Sequence, residues 1–295
     1  MGFRFEQDET VQSGVRRISA EQLDRALHEL STASTSEAVH QVRKRMKKVR
    51  ALLRLVRKSF PAYAEENAAL RDIQKSLGPL REAKVALDTL ALLQEGADVS
   101  RRSVLEAERA FRTHRLQVAT PAWTLQTLER VHKDMERVRA RAHRWQLETS
   151  DFDAVAGGLG KTYRRARKRM RAAYDDPSAE AFHEWRKRVK YHLLQVRLLR
   201  NAWPTEMKAR REALDELKDS LGEAHDCVDF ERLLKQLEVS SMARKELLAV
   251  SKEARSARRI HAKPLGELAF AEPKKHFVSR VECYWDASRS ARLKR

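Results

Sequence analysis

Residues 40–61 read HQVRKRMKKVRALLRLVRKSFP, and residues 183–204 repeat this stretch without a gap as HEWRKRVKYHLLQVRLLRNAWP. Nine of the 22 aligned positions are identical, whereas average composition would give about one or two identities. Seven of the nine identities are His, Lys or Arg. A structural repeat usually retains its apolar core and varies on its solvent face. Here the cations are retained instead, which indicates that they carry the function.

Both copies have the periodicity of an amphipathic helix, with apolar residues at alternating steps of three and four. A cation follows most apolar residues of the stripe at the next position in the sequence. The row of cations therefore lies beside the buried face of the helix rather than opposite it. The row consists of His40, Arg43, Lys47, Arg50, Arg54 and Arg57 in the first copy, and of His183, Arg186, Lys190, Arg197 and Arg200 in the second. Leu193 interrupts the second row at the position that corresponds to Arg50.

This cationic row has two interpretations. It could be an ordinary helix shoulder, where Lys and Arg stems cover apolar surface and their charges remain solvated. That interpretation predicts acidic residues four positions away, but no Asp or Glu occurs between Arg43 and Arg57. Neighbouring cations on a helix repel one another unless an anion lies across them. The row therefore favours a polyanion-binding surface.

The overall composition points to an acidic partner. The chain of 295 residues has 61 Lys and Arg against 42 Asp and Glu, which gives a net charge of +19. Nucleic acid, an anionic membrane surface and a phosphate polymer all fit that charge. The chain has two cysteines without metal-binding spacing, no secretory leader and no long apolar stretch. These features predict a cytoplasmic protein with no cofactor, no metal and no membrane insertion.

The scarcity of Gly and Pro, together with abundant Ala, Leu, Glu, Lys and Arg, predicts an all-α fold. We expect a single domain over residues 8–290. It would consist of a first helical repeat at 14–147 and a second at 160–290, joined by a glycine-containing hinge at 148–159.

Smaller signals predict individual turns. The tripeptide SLG occurs in both halves, and Gly78 and Gly222 are each expected to end a helix. Glu82 and Asp226 would then lie in the first turn of the next helix, where an acid favours the positive end of the helix dipole. An alternative is that these two acids orient neighbouring cations. His225 is a candidate anion contact.

Two further groups of residues are candidates for the same surface. Lys161, Arg164 and Lys168 form a third cationic row, on a helix expected to pack antiparallel to the second basic helix. His40 and His183 each begin a basic stretch. A histidine in that position could cap or pack against the helix, or it could contact phosphate, and the sequence leaves both roles open.

These residues resemble the CHAD family, the conserved-histidine α-helical domain. The resemblance rests on the pattern H-x-x-RKR-x-K, which occurs as residues 40–47 and again as residues 183–190. It also rests on the R-x-x-R spacing that ends each basic stretch and on the SLG turn that follows. The match extends over nearly the whole chain.

The resemblance implies two helical bundles related by a pseudo-twofold axis, with a basic cleft or channel between them that binds inorganic polyphosphate. It implies a binding module rather than an enzyme, and it admits a location at polyphosphate granules. Carried over position by position, it adds Lys44 and Lys187 to the cationic rows named above.

Two other classes of function remain open from the residues alone. A nucleic-acid-binding protein would have a similar charge, but aromatic residues make up only 6% of the chain and none interrupts residues 40–57. The basic stretch therefore offers no stacking platform for single strands. A phosphohydrolase or phosphotransferase would need metal-binding carboxylates or a phosphate loop, and neither GxxxxGK[ST] nor HExxH is present.

Overall fold

The computed structural model describes residues 2–96, 99–118 and 121–293, without the side chains of residues 79–83, 96, 115, 118, 121–123 and 291–293. The described residues form eleven helices and no strand, which confirms the all-α prediction. The helices are α1 (Val11–Thr32), α2 (Thr35–Val56), α3 (Tyr63–Ser76), α4 (Pro79–Gly96), α5 (Arg101–Val118), α6 (Pro121–Ala142), α7 (Asp153–Asp175), α8 (Ala179–Leu198), α9 (Pro204–Gln236), α10 (Ser241–Ala269) and α11 (Lys274–Leu293).

The two basic stretches are the helices α2 and α8, and they pack against each other. Their apolar stripes are buried as the periodicity predicts, with Val42, Leu53 and Trp185 fully enclosed. Ser178 caps α8 by accepting a hydrogen bond from the Ala181 amide. A large buried side chain stabilises the fold by about 1.5–3 kcal/mol, so the stripes fix how both helices are rotated. The same rotation determines the direction in which the cationic rows point.

Two hydrophobic cores hold the helices together. The main core contains side chains from α1, α2, α3, α6, α7, α8 and α11, from the N-terminal part of α9 and from the C-terminal part of α10. A smaller core joins α4 and α5 to the C-terminal part of α9 and to α10, with the rings of Phe111 and Phe230 at 5.4 Å. Each core therefore combines helices from both predicted halves. The pseudo-twofold relation between those halves stays a prediction.

The predicted hinge at 148–159 is wrong in its second part. Helix α7 begins at Asp153, so Gly157 and Gly158 are helical rather than hinge residues. A Cβ atom at Gly158 would lie 1.7 Å from the carbonyl oxygen of Leu55. The glycine is required because α7 and α2 approach each other backbone to backbone.

The helix end predicted at Gly222 is also wrong. Helix α9 continues from Pro204 to Gln236, whereas the corresponding segment of the first half is divided into α3 and α4. Gly78 is followed by Pro79, which cannot continue the hydrogen-bond ladder of a helix, but Gly222 is followed by Glu223. A glycine alone costs only about 1 kcal/mol inside a helix. Tertiary packing can offset that cost.

In the part of the chain that the structure describes, no helix combines the length and the apolar character needed to cross a bilayer.

Candidate anion-binding cleft

A cleft of about 560 Å³ lies between the basic helices and the helices that follow each of them. Its first wall, from α2 and α3, presents Arg43, Lys47, Arg50, Arg71 and Gln74. Its second wall, from α8 and α9, presents His183, Arg186, Lys187, Lys190, Tyr191, His225, Asp226, Asp229 and Arg232. The two repeated cationic rows thus face one shared space.

The packing of α2 on α8 explains why the rows meet. The guanidinium carbon of Arg54 lies 4.1 Å from the centre of the Tyr191 ring, a cation–π contact that joins the two basic helices beside the cleft. Because each cationic row borders the buried stripe of its helix, both rows lie next to this contact.

On the first wall, neutral acceptors bond to Arg43 and Arg50, whereas Arg71 forms a salt bridge with Asp72 at 3.0 Å. Arg43 donates from Nη1 to the carbonyl oxygen of Gln74 at 2.6 Å, and the Gln74 amide donates back to the Arg43 carbonyl at 3.0 Å. Arg50 donates to the side-chain oxygens of Gln74 and Asn67. Arg54 donates to the same Asn67 oxygen at 2.6 Å. Burial lowers the pKa of Arg50.

On the second wall, carboxylates accompany the cations. Arg186 lies 3.9 Å from Asp226, and Lys187 forms a salt bridge with Glu184. Asp226 was expected in the first turn of a helix. It instead lies inside the continuous helix α9 and faces the cleft. The alternative role, in which it orients a neighbouring cation, agrees with its position beside Arg186. The side chain of Glu82 lies outside the described residues.

A pair of histidines also belongs to the second wall. Nδ1 of His183 is within hydrogen-bonding distance of Nε2 of His225, and the ring centres are 4.4 Å apart. Nδ1 of His225 in turn lies 3.2 Å from the Asp229 carboxylate. Burial, followed by the charges of His225, Lys187 and Arg186, lowers the pKa of His183. The neutral form of His183 is therefore favoured until an anion binds beside it.

The second wall contains a group of possible metal ligands that the sequence did not predict. One ligand atom each of His225, Asp226 and Asp229 lies within 4.8 Å of the others, so the three residues could hold a metal ion. The available signal was the spacing of His225 and Asp229, which are four residues apart and share a helix face.

The structure brings seven of the sixteen predicted binding residues together in the cleft. They are Arg43, Lys47, Arg50, His183, Arg186, Lys187 and Lys190. Arg71 and Arg232 also line the cleft and were not predicted. Arg71 could have been found from the polar face of α3, where Asn67, Arg71 and Gln74 recur at steps of four and three.

The other nine predicted residues lie outside the cleft. His40 and Lys44 are exposed residues of α2, whereas Arg54 and Arg57 continue the first row beyond the cleft. Among the cations of α7, Lys161 lies near Arg57 at the end of that row. Arg164 and Lys168 lie further along α7.

The end of the second row is compensated by acids. Arg197 pairs with Asp215 at 2.7 Å. Arg200 lies near Arg4, and the guanidinium of Arg4 pairs with Glu6 at 2.9 Å. The salt bridge holds Arg197 against a carboxylate, and the negative charge of Glu6 acts on Arg200.

The fold and the cleft define a helical protein in which two basic repeats line one cavity. Residues 17–235 match the model of the CHAD domain, and the chain belongs to this family, as the two H-x-x-RKR-x-K motifs predicted.

Two solved structures resemble the whole chain. PptA from Streptomyces chartreusis superposes with a TM-score of 0.62 at 15% identity, covering 89% of this chain and 98% of PptA. The CHAD domain from the plant Ricinus communis gives a TM-score of 0.51 at 18% identity, covering 96% of this chain and 94% of the plant domain. At such identities the likeness shows a common fold. No curated protein matches the chain.

Proposed function

We propose that the protein binds inorganic polyphosphate in the cleft and does not transform it. The observation that carries this proposal is that cations from both repeats line one cavity of about 560 Å³. Membership of the CHAD family supports a polyphosphate-related role. A rigid array of Lys and Arg can bind a regular chain of phosphates without reading any sequence.

The chemistry of the walls suits phosphate oxygens. Arg presents a planar fork that grips two oxygens at once, whereas Lys acts as a mobile point charge. Arg50 and Arg54 are oriented by side-chain amide oxygens, which position them without neutralising them. Binding should release counterions and weaken steeply as salt is added. His183 would take up a proton on binding, because a nearby polyanion favours its charged form.

Single-stranded nucleic acid fits the cleft less well. Tyr191 is an aromatic side chain that lines it, and the Arg54 guanidinium already covers its ring. A stacking platform for bases needs an open aromatic face.

The test is a binding titration with polyphosphates of graded length, monitored by calorimetry. The variant replaces Arg43, Lys47, Arg186 and Lys190 with Ala. A matched control replaces four exposed cations outside the cleft, Arg101, Arg102, Lys133 and Lys252, with Ala. Both changes remove the same charge. We expect the cleft variant to lose about 100-fold in affinity and the control less than about threefold.

Equal losses in the two variants would contradict a cleft site and would indicate general charge attraction. Duplex DNA that displaces long polyphosphate at equal phosphate concentration and fixed salt would favour the nucleic-acid alternative. Release of orthophosphate from polyphosphate by the purified protein with Mg²⁺ would contradict the proposal that the protein is not an enzyme.

A further inference from the structure

A compact group of cations lies at the C-terminal end of α2, where α7 packs against it. This α2–α7 cluster consists of Arg57, Lys58, Lys161, Arg164 and Arg165. The positive charges of Arg57, Arg165, Lys58 and Arg164 all act on Lys161 and, with burial, lower its pKa. Burial lowers the pKa of Arg57 to about 10. Within the described residues, none of the five forms a salt bridge with a carboxylate.

The backbone brings these cations together. Nη2 of Arg57 lies 3.5 Å from the hydroxyl of Thr162, one residue from Lys161. The close approach at Gly158 sets the spacing of the two helices, and the side chain of Lys58 packs over Gly157. Like charges in such proximity repel one another. The packing of two helices therefore holds a site that an anion would stabilise.

The α2–α7 cluster continues the first wall of the cleft. Arg50, which lines the cleft, and Arg54 donate to one Asn67 oxygen. The charge of Arg54 acts in turn on Arg57. From Arg50 to Arg57 the helix advances about 10 Å, and from Arg43 to Arg57 about 21 Å. The cationic row therefore extends to roughly twice the length that the cleft alone provides.

We propose that the α2–α7 cluster is a second binding site for the same linear polyphosphate, occupied only by chains long enough to leave the cleft. This inference rests on the proposed function. Once a chain is held in the cleft, its free end meets the cluster at high effective concentration, so the second contact adds affinity. The protein would thereby favour long chains.

The second cationic row does not offer an equivalent continuation. Arg197 is paired with Asp215, and Arg200 lies beside the Arg4–Glu6 pair. The carboxylates there would repel a phosphate chain. The polymer is therefore expected to leave the cleft over Arg54, towards α7.

The test compares the variant Lys161→Gln/Arg165→Gln with the control Arg169→Gln/Arg171→Gln on the same helix. Arg165, Arg169 and Arg171 are exposed, and both variants lose two charges. Affinity is measured for each chain length from the shortest that saturates the parent protein. We expect the cluster variant to weaken long chains about fivefold and leave the shortest binding chain unchanged. The control should follow the parent at every length.

Three outcomes would overturn the inference. The cluster variant could bind long chains as tightly as the parent, it could weaken all lengths equally, or the control could weaken long chains as strongly. If the parent binds no polyphosphate of any length, the proposed function itself fails, and this result is distinct from the other three.

Discussion

The two walls of the cleft carry similar cations, but several of these cations have different partners. Arg50 on the first wall, and Arg54 beyond it on the same helix, donate to amide oxygens of Asn67 and Gln74. Lys187 on the second wall pairs with Glu184, and Arg197 beyond it on the same helix pairs with Asp215. A cation held by a neutral group keeps its full charge for a ligand, whereas one held by a carboxylate is partly compensated. The first wall should therefore supply more of the binding free energy.

The contacts between the basic helices show the same contrast. Arg54 lies over the Tyr191 ring at 4.1 Å. In the repeat, Arg197 corresponds to Arg54, and Lys48 corresponds to Tyr191. The charge of Arg197 acts on Lys48 and helps to lower its pKa. An attractive cation–aromatic contact in one place thus corresponds to a repulsive pair of cations in the other.

The largest expected effect comes from removing two cations from each side. We expect Arg50→Gln/Arg54→Gln to weaken polyphosphate binding about 30-fold, and Lys187→Gln/Arg197→Gln only about threefold. Both variants lose two charges, and glutamine can still bond to the neighbouring amides. Calorimetric titration at fixed salt measures the difference, and thermal unfolding confirms that both variants fold. Equal losses would show that Glu184 and Asp215 do not reduce the contributions of Lys187 and Arg197 to binding.

The second prediction concerns a difference in the core. His192 occupies the position of Val49 and is fully buried, with its ring 5.4 Å from that of Tyr163. Burial and the charge of Arg210 hold its pKa well below the ordinary value of 6.5. The unfolded state binds a proton that the folded state does not, so stability falls as the pH falls below about 6.5. The loss approaches about 1.4 kcal/mol per pH unit once the pH is well below that value.

His192→Leu should remove this acid sensitivity. Urea unfolding at pH 7.5, 6.5 and 5.5 gives the free energy of unfolding. Between pH 6.5 and 5.5 the parent should lose about 1 kcal/mol more than the variant. If parent and variant lose stability in parallel, His192 is protonated in the folded protein and the prediction is wrong.

Particular residues show which parts of the fold and of the cleft could be predicted from the sequence. The stripes around Leu53 and Trp185 determined the rotation of α2 and α8, so periodicity was sufficient to place Arg43 and Arg186 beside the same core. Periodicity could not place Asp226, because its position depends on whether a helix ends at Gly222. No proline follows Gly222, and the helix continues. The partners Asn67 and Asp215 could not be predicted either, since contacts between helices depend on their packing angle.

The third prediction tests the repulsion between Lys48 and neighbouring cations such as Arg197. Burial, followed by the charges of Arg45, Lys44 and Arg197, lowers the pKa of Lys48 to about 8 from 10.5. Below pH 8 the folded protein bears the full cost of this charge. Lys48→Met should therefore raise the free energy of unfolding at pH 7 by about 1 kcal/mol, a figure discounted because the side chain is partly solvated.

The advantage of Lys48→Met should shrink as the pH rises from 8 towards 10.5. In that interval the unfolded parent still binds a proton that the folded parent has released, so the parent gains stability with pH. Thermal unfolding at pH 7 and pH 10 measures this change. A constant difference between variant and parent would mean that Lys48 stays charged in the folded state.

The smallest expected effect is a gain of affinity on the second wall. Asp226→Asn removes a negative charge that lines the cleft and lies 3.9 Å from Arg186. We expect polyphosphate to bind about threefold more tightly when the assay contains EDTA. The control Asp286→Asn, at an exposed position of α11, should leave the affinity unchanged.

The same variant separates two roles of the acids in the second wall. If His225, Asp226 and Asp229 hold a divalent cation that bridges to phosphate, Mn²⁺ should tighten binding to the parent and have a smaller effect on Asp226→Asn. If the acids only hold cations in place, Mn²⁺ should affect both proteins equally. Weaker binding by Asp226→Asn in EDTA would contradict the comparison of the walls, because it would show that the carboxylate positions Arg186 more than it repels phosphate.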